Sequence, residues 1–270
     1  MIYANDNDPE LPPSSPASKS PKYGMSEPVL HLGDCLEVMR TMPSKSVDMV
    51  FTSPPYNLCL SADGKGKNNS LTSGKWKSAG LANGYGEYDD ARDPADYKAW
   101  QHEVLTECWR LLKDDGAIFY NHKPRIMKGE VVLPTIYNPG LPLRQIVVWN
   151  RRQGFNFSQS FYLPCHEWVM ILAKPDFRLK SKAASGAKDV WTIDHDRKNS
   201  HPAPFPVELP MTAIETTSAQ VILDPFCGSG TTGVACARLG RQFIGIELDP
   251  KFHAMATQRI EAERLISLAA

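Results

Sequence analysis

The sequence has no pair of cysteines at C-x-x-C spacing; its six, at positions 35, 59, 108, 165, 227 and 236, are scattered. That scatter argues against a structural zinc site or a disulfide framework and fits a reducing compartment. No apolar run approaches the roughly 18 residues of a membrane-spanning helix. No basic stretch followed by an apolar one stands near residue 1, so no secretory signal is read there and a cytoplasmic protein without membrane contact is expected. Charge of one sign is not in excess, with 30 Lys and Arg against 30 Asp and Glu, so bulk attraction to a polyanion is not expected. No internal repeat is visible, and no Gly-Lys-Ser/Thr follows a glycine turn, which excludes a phosphate-binding P-loop.

What is present is 270 residues, 42% hydrophobic and 22% charged, enough to bury the core of one large domain. Residues 1 to about 27 are rich in Pro, Ser, Asp and Asn and are expected to form a poorly ordered tail. The remainder, 28–270, is read as one catalytic domain. Strands are predicted at Val29–Leu32, Val47–Phe51, Ala117–Tyr120, Gln145–Trp149, Trp168–Leu172, Val221–Leu223 and Phe243–Ile246. Asp34 is placed to cap a helix reaching about Met42, and Asp93-Pro94 to open an amphipathic helix carrying Trp100, Val104, Leu105, Cys108, Trp109 and Leu112 along one side. Thr231 to Leu239 reads as a helix stopped by Gly240, and Asp249-Pro250 as the cap of a last one. Strands alternating with helices imply an α/β fold with a mostly parallel, doubly wound sheet and helices on both faces. The stretches 58–92 and 174–200 read as loops. The first holds four lysines and one acid between Ser61 and Ala82, and Lys174 to Lys198 holds seven basic and four acidic residues, so both are candidate nucleic-acid contacts. Asn150-Arg151-Arg152-Gln153, just after a strand, is a third.

Two segments carry chemistry. The run Val221-Ile222-Leu223-Asp224-Pro225-Phe226-Cys227-Gly228-Ser229-Gly230-Thr231-Thr232-Gly233 is a strand, a glycine turn and a helix start, and Glu247 follows about 20 residues past the first glycine at the end of the next strand. An acid so placed accepts from ribose hydroxyls, which indicates a nucleoside-bearing cofactor. Only about 37 residues follow Gly233, too few to complete the sheet in forward order, so the remaining strands must come from the N-terminal half in a circularly permuted layout. The second segment, Thr52-Ser53-Pro54-Pro55-Tyr56-Asn57, ends a buried strand at the edge where open α/β sheets bind ligands.

Together these motifs resemble the amino-methylating (N4-cytosine or N6-adenine) site-specific DNA methyltransferases, and the order of catalytic before cofactor motif is that of their β group. The resemblance spans roughly residues 29 to 260 and implies a circularly permuted, Rossmann-like class I methyltransferase fold. It implies S-adenosylmethionine as cofactor, double-stranded DNA as substrate, a microbial or phage origin and a restriction endonuclease as possible companion; the short recognition region makes a homodimer plausible. Ser53, Pro54, Pro55 and Tyr56 would serve the target base. An exocyclic amine is a poor nucleophile because its lone pair is delocalised into the ring; a hydroxyl and a carbonyl that take its two N–H groups free that pair. Tyr56 would offer a ring on which the extruded base stacks. Around the cofactor the resemblance places Asp34 and Cys35, Thr52, Asp224, Pro225, Phe226, Gly228, Ser229, Gly230, Thr231, Thr232, Glu247 and Leu248. His201, Pro202 and Phe205 would cover its methionine end. Many members have Lys-Pro where this chain has Phe205-Pro206, which leaves the partner of the cofactor's carboxylate unassigned.

Ser rather than Asp at position 53 resembles cytosine-N4 members, with adenine N6 as the alternative. A cytosine-C5 enzyme would need a nucleophile such as Cys165 after Pro164, which has no strand-end context. A nicotinamide oxidoreductase, an RNA or small-molecule methyltransferase and a non-enzymatic nucleic-acid-binding module are remoter readings. His122, His166 and His195 have no metal-ligand spacing; no metal is expected.

Overall fold

A computed structural model of the protein describes residues 27–57, 92–127, 129–154, 159–194 and 205–269. The tail expected up to residue 27 and nearly all of the 58–92 loop therefore lie outside the described residues, as do His195, His201 and Pro202.

In chain order the elements are β1 (Val29–Leu32), α1 (Cys35–Thr41), β2 (Val47–Thr52), α2 (Pro94–Leu111), β3 (Leu112–His122), β4 (Arg125–Met127) and β5 (Glu130–Val132). A 3-10 turn at Pro134–Tyr137 leads to β6 (Leu143–Asn150), β7 (His166–Ala173), α3 (Lys182–Ser185) and β8 (Val190–Thr192). The chain closes with α4 (Glu208–Glu215), β9 (Val221–Asp224), α5 (Thr231–Leu239), β10 (Gln242–Glu247) and α6 (Pro250–Ala269). The caps are those the sequence implied. Asp34 accepts from the Leu36 and Glu37 amides at the start of α1, Asp93 accepts from Ala95 N with Pro94 in the first turn of α2, and Gly240 ends α5 in the left-handed region.

Eight of the described strands form one sheet in the order β1-β10-β9-β2-β3-β7-β6-β8, and β4 pairs with β5 in a separate two-stranded one. Neighbours pair in parallel from β1 through β3, β7 is antiparallel to both β3 and β6, and β8 pairs in parallel with β6. The permutation expected from the short stretch after Gly233 is present. The C-terminal strand β9 pairs with the N-terminal β2, Met49 opposite Ile222 and Val50 opposite Leu223.

Period-two alternation sorts the buried side chains of the central strands to two cores. Met49, Phe51, Ala117 and Phe119 join Leu209, Ile214, Val234, Ala256 and Ile260 under α4, α5 and α6. Val50, Ile118, Tyr120 and Leu223 join Leu36, Met39, Val104, Leu105 and Cys108 under α1 and α2. Helices on both faces make the sheet doubly wound, as expected.

Two expectations change. The 174–200 stretch is not uniformly loop, because α3 and β8 lie within it. Its first part also sits away from the ligand edge. β7 runs backwards, so Ala173 lies opposite Ala117 and Lys174 N donates to Gly116 O at the amino ends of the parallel strands. Only with β8, whose Thr192 is opposite Asn150, does the chain return to their carboxyl ends.

A cleft at the carboxyl edge of the sheet

The chain leaves β9 toward α5 and β10, and leaves β2 toward α2 and β3, so a crevice opens between the two strands at their carboxyl ends. Gly33, Asp34, Cys35, Ser53, Pro55 and Arg92 line it, with Trp100, Pro225, Phe226, Gly228, Ile246, Glu247, Leu248 and Phe252. It encloses about 670 Å³ of empty space when counted out through its open mouth.

Beneath the cleft the two strands are tied. Asp224 is wholly buried; it accepts from Thr52 Oγ1 at 2.8 Å, from Thr232 Oγ1 at 2.6 Å and from the Phe226 amide at 3.1 Å. Burial raises its carboxyl from 3.8 to about 6 against the pull of those donors. Thr52, Asp224 and Thr232, expected beside a cofactor, thus form the joint under the floor rather than the lining.

The glycine turn divides in function. Gly228 reaches the cleft, and its amide donates to Glu247 Oε2 at 2.7 Å. Gly230 has φ +81, and a Cβ there would stand 3.0 Å from Ala256; one at Gly233 would collide with Ile260. Those two glycines let α5 and α6 approach each other closely. Ser229 also turns from the cleft, its Oγ accepting from Arg259 at 2.7 Å, and Thr231 is buried in the first turn of α5. Phe205 does not line the cleft either; it packs edge-on against Phe51, 5.7 Å between centroids. Asp34, Cys35, Pro225, Phe226, Gly228, Glu247 and Leu248 line the cleft. Glu247 Oε1 accepts from Asp249 N at 2.9 Å, and burial holds its carboxyl above the ordinary range. Two bonds leave the carboxylate further lone pairs for hydroxyl donors.

On the other wall, the segment after β2 is fastened from three sides. Tyr97 Oη donates to Pro55 O at 2.7 Å, Arg125 donates to Tyr56 O and Asn57 O at 2.6 and 3.0 Å, and the Asn57 amide exchanges two 2.8 Å bonds with the Arg92 backbone. Ser53 faces the cleft. Tyr56 is 7% exposed, with His122 4.4 Å from its ring and Lys123 5.6 Å above it. An open stacking face is therefore not what the described residues leave it; its hydroxyl instead lies 2.8 Å from Ser53 Oγ and 2.9 Å from Glu167 Oε2. His122 is fully buried, and desolvation lowers it to about 3, so it is neutral at ordinary pH.

Residues in the cleft and in the buried layer behind it escaped the sequence reading. Trp100, counted as one more apolar residue of α2, meets Phe226 at 5.4 Å and is covered by Arg92 at 4.6 Å. Asn121 and Glu167 arrive on β3 and β7. A buried acid in the otherwise apolar run Trp168–Leu172 and its approach was the available signal for Glu167. Arg151, expected as a DNA contact, instead pairs with Glu167 Oε1 at 3.1 Å and donates to Pro164 O, while Arg152 lies 3.7 Å from Asp194. Cys165 does not line the cleft. Among the described residues no cluster of His, Cys, Asp and Glu is suited to a metal ion, and no helix is long and apolar enough to cross a membrane.

The model of one protein family, described as DNA methylase and covering N6 and N4 enzymes by its name, matches residues 47–258. The type II methyltransferase M2.MboI of Moraxella bovis is 29% identical over 250 residues, covering 85% of this chain and 86% of that protein. The type II methyltransferase M.HinfI of Haemophilus influenzae is 28% identical over 257 residues, covering 84% and 67%. Among solved structures, the cytosine-N4-specific PvuII DNA methyltransferase superposes with a TM-score of 0.66 at 19% identity over 91% of this chain and 94% of its own. TTHA0409 from Thermus thermophilus, solved in complex with S-adenosyl-L-methionine, gives 0.60 at 24% identity over 88% and 96%. At these identities the structural likeness speaks for the fold.

Proposed function

The chain belongs to the DNA methylase family, and from that premise we propose that it transfers a methyl group from S-adenosylmethionine to the exocyclic amine of a base extruded from double-stranded DNA, cytosine N4 before adenine N6. The observation that carries this reading is that Ser53 shares one cleft with Gly228 and Glu247, although the two segments lie far apart in sequence.

The lining suits the cofactor. Glu247 and Asp34 offer carboxylate oxygens to ribose hydroxyls and adenine N–H groups, and Gly228 has no side chain to obstruct them. Trp100, Phe226, Leu248 and Phe252 offer apolar and aromatic faces to the base and to a sulfonium charge. When bound, the cofactor supplies an electrophilic methyl group whose departure leaves a neutral thioether. The chain's part is to position the amine. Ser53 Oγ and the Pro54 carbonyl accept its two N–H bonds, which draws the nitrogen lone pair out of conjugation and aims it along the cleft. No residue forms a covalent bond to the base, and the amine's spare proton leaves to solvent after transfer. Serine at position 53 favours cytosine N4; both amines need the same acceptors. A restriction endonuclease of matching specificity is proposed as companion, as is a cytoplasmic site of action.

The test is to incubate the protein with methyl-labelled S-adenosylmethionine and unmethylated genomic DNA, then analyse the nucleosides by mass. N4-methylcytosine is expected, and N6-methyladenine would move the target base but keep the reaction. Label at cytosine C5, or none in DNA, would overturn the proposal. Ser53→Ala should lower turnover by about 100-fold or more with cofactor affinity unchanged.

A further inference from the structure

Behind Ser53 lies a buried polar node that the proposed reaction does not by itself require. Four groups from three segments meet there: Ser53 and Tyr56 after β2, Asn121 on β3 and Glu167 on β7. Asn121 Nδ2 is 2.8 Å from Tyr56 Oη, 2.8 Å from Glu167 Oε2 and 3.3 Å from Ser53 Oγ. Tyr56 Oη is 2.9 Å from Glu167 Oε2 and 2.8 Å from Ser53 Oγ. Arg151, only 15% exposed in its side chain, holds the far carboxylate oxygen of Glu167.

Counting protons gives the node a direction. Glu167, ionised against Arg151, can only accept. Tyr56 has one proton, and a bond to the carboxylate is roughly twice as strong as one to a neutral hydroxyl. Tyr56 therefore donates to Glu167, its oxygen accepts from Ser53, and the Ser53 hydrogen points inward. Asn121 agrees with this polarity. Its amide nitrogen faces the node, while Oδ1, though buried, has no hydrogen-bond partner among the described residues; the reverse orientation would set an oxygen against the Glu167 carboxylate. Of the two lone pairs of Ser53 Oγ, one faces the Asn121 amide and the other remains for the cleft.

We infer that Glu167, held by Arg151 and acting through Tyr56, is the positioning residue that makes the Ser53 hydroxyl a one-way hydrogen-bond acceptor toward the target amine. A serine is otherwise free to present its proton, and a proton there would meet an N–H. The relay lends a neutral side chain the acceptor character that a carboxylate at position 53 would have unaided. The inference rests on the proposed role of Ser53 and deepens it.

The experiment is a pair of double-substitution cycles read by single-turnover methyl transfer on unmethylated genomic DNA at saturating cofactor, with cofactor affinity and Tm measured alongside. Glu167→Gln substitutes an amide able to donate to Tyr56, which turns the Tyr56 proton to Ser53 and the Ser53 proton to the cleft. The rate should fall roughly 10- to 100-fold, the scale of one hydrogen bond to a group that gains charge, with cofactor affinity unchanged. In a Ser53→Asp background, where the acceptor no longer depends on the relay, the same change should cost less than about threefold. In a Tyr56→Phe background, where the link is cut, it should also cost less than about threefold. A full rate in Glu167→Gln, or an equal loss in all three backgrounds, overturns the relay and leaves Glu167 a structural residue. Inactive Ser53→Ala beside fully active Glu167→Gln removes the relay alone, whereas fully active Ser53→Ala removes the reading of the site and the relay with it.

Discussion

Replacing Thr52 by Val keeps the branched shape of a residue with no exposed surface and deletes the hydroxyl that donates to Asp224 Oδ1. The cost should depend on pH in a stated direction. Burial raises the Asp224 carboxyl from 3.8 to about 6, a displacement equivalent to about 3 kcal/mol. Because the folded value lies above the unfolded one, this contribution is fully present below pH 3.8 and lost as pH rises through 6. Near pH 8 the carboxylate is ionised, and a donor to a buried charge is worth about 1.5–3 kcal/mol; near pH 5 it is mostly neutral, and the same bond is worth about 0.5–1.5 kcal/mol. Urea unfolding of Thr52→Val at the two pH values should therefore show a loss about twice as large at the higher pH, read from the midpoint at unchanged m. In an Asp224→Asn background the difference between the two pH values should vanish. An equal loss at both, or a larger one at the lower pH, would refute the account of Asp224 as a buried acid stabilised by Thr52.

Gly233→Ala should destabilise by about 1–3 kcal/mol through overpacking, since its Cβ would collide with Ile260 and stand 2.8 Å from Phe243; adding Ile260→Val should restore part of the denaturation midpoint. Trp100→Ala should weaken S-adenosylmethionine binding about tenfold by calorimetry, the scale of losing part of an aromatic wall, and should also lower Tm because the ring packs on Phe226 and Tyr97. Glu247 accepts from Gly228 and Asp249 as a carboxylate and is held above the ordinary range by burial. Cofactor affinity measured across pH should fall as the solution is acidified through that raised range, and Glu247→Gln should flatten the dependence.

The elements were legible because each is encoded within a few residues. Asp34, Asp93-Pro94 and Gly240 mark helix ends by local hydrogen bonding and backbone freedom, and the β-branched runs at Val47–Phe51 and Val221–Leu223 read as buried strands. The permuted order was legible too, from the position of the glycine turn along the chain. The short β4, β5 and β8 were not, because three residues carry no periodicity, and α4, only eight residues long with Pro210 in its first turn, was not read either.

By itself, then, the sequence determined a permuted, doubly wound α/β sheet, its two chemical segments and the residue types each would need. Only the tertiary structure decided which of those residues face the cleft and which support it. Thr52 and Asp224, 172 positions apart, became a joint; Gly230 and Gly233 became a helix contact. Tyr56 and Glu167, 111 positions apart, became one hydrogen-bonded node. The reason is physical: a helix cap or a strand is set by near neighbours, whereas the direction of a side chain at a sheet edge is set by whatever the adjacent strands bring beside it.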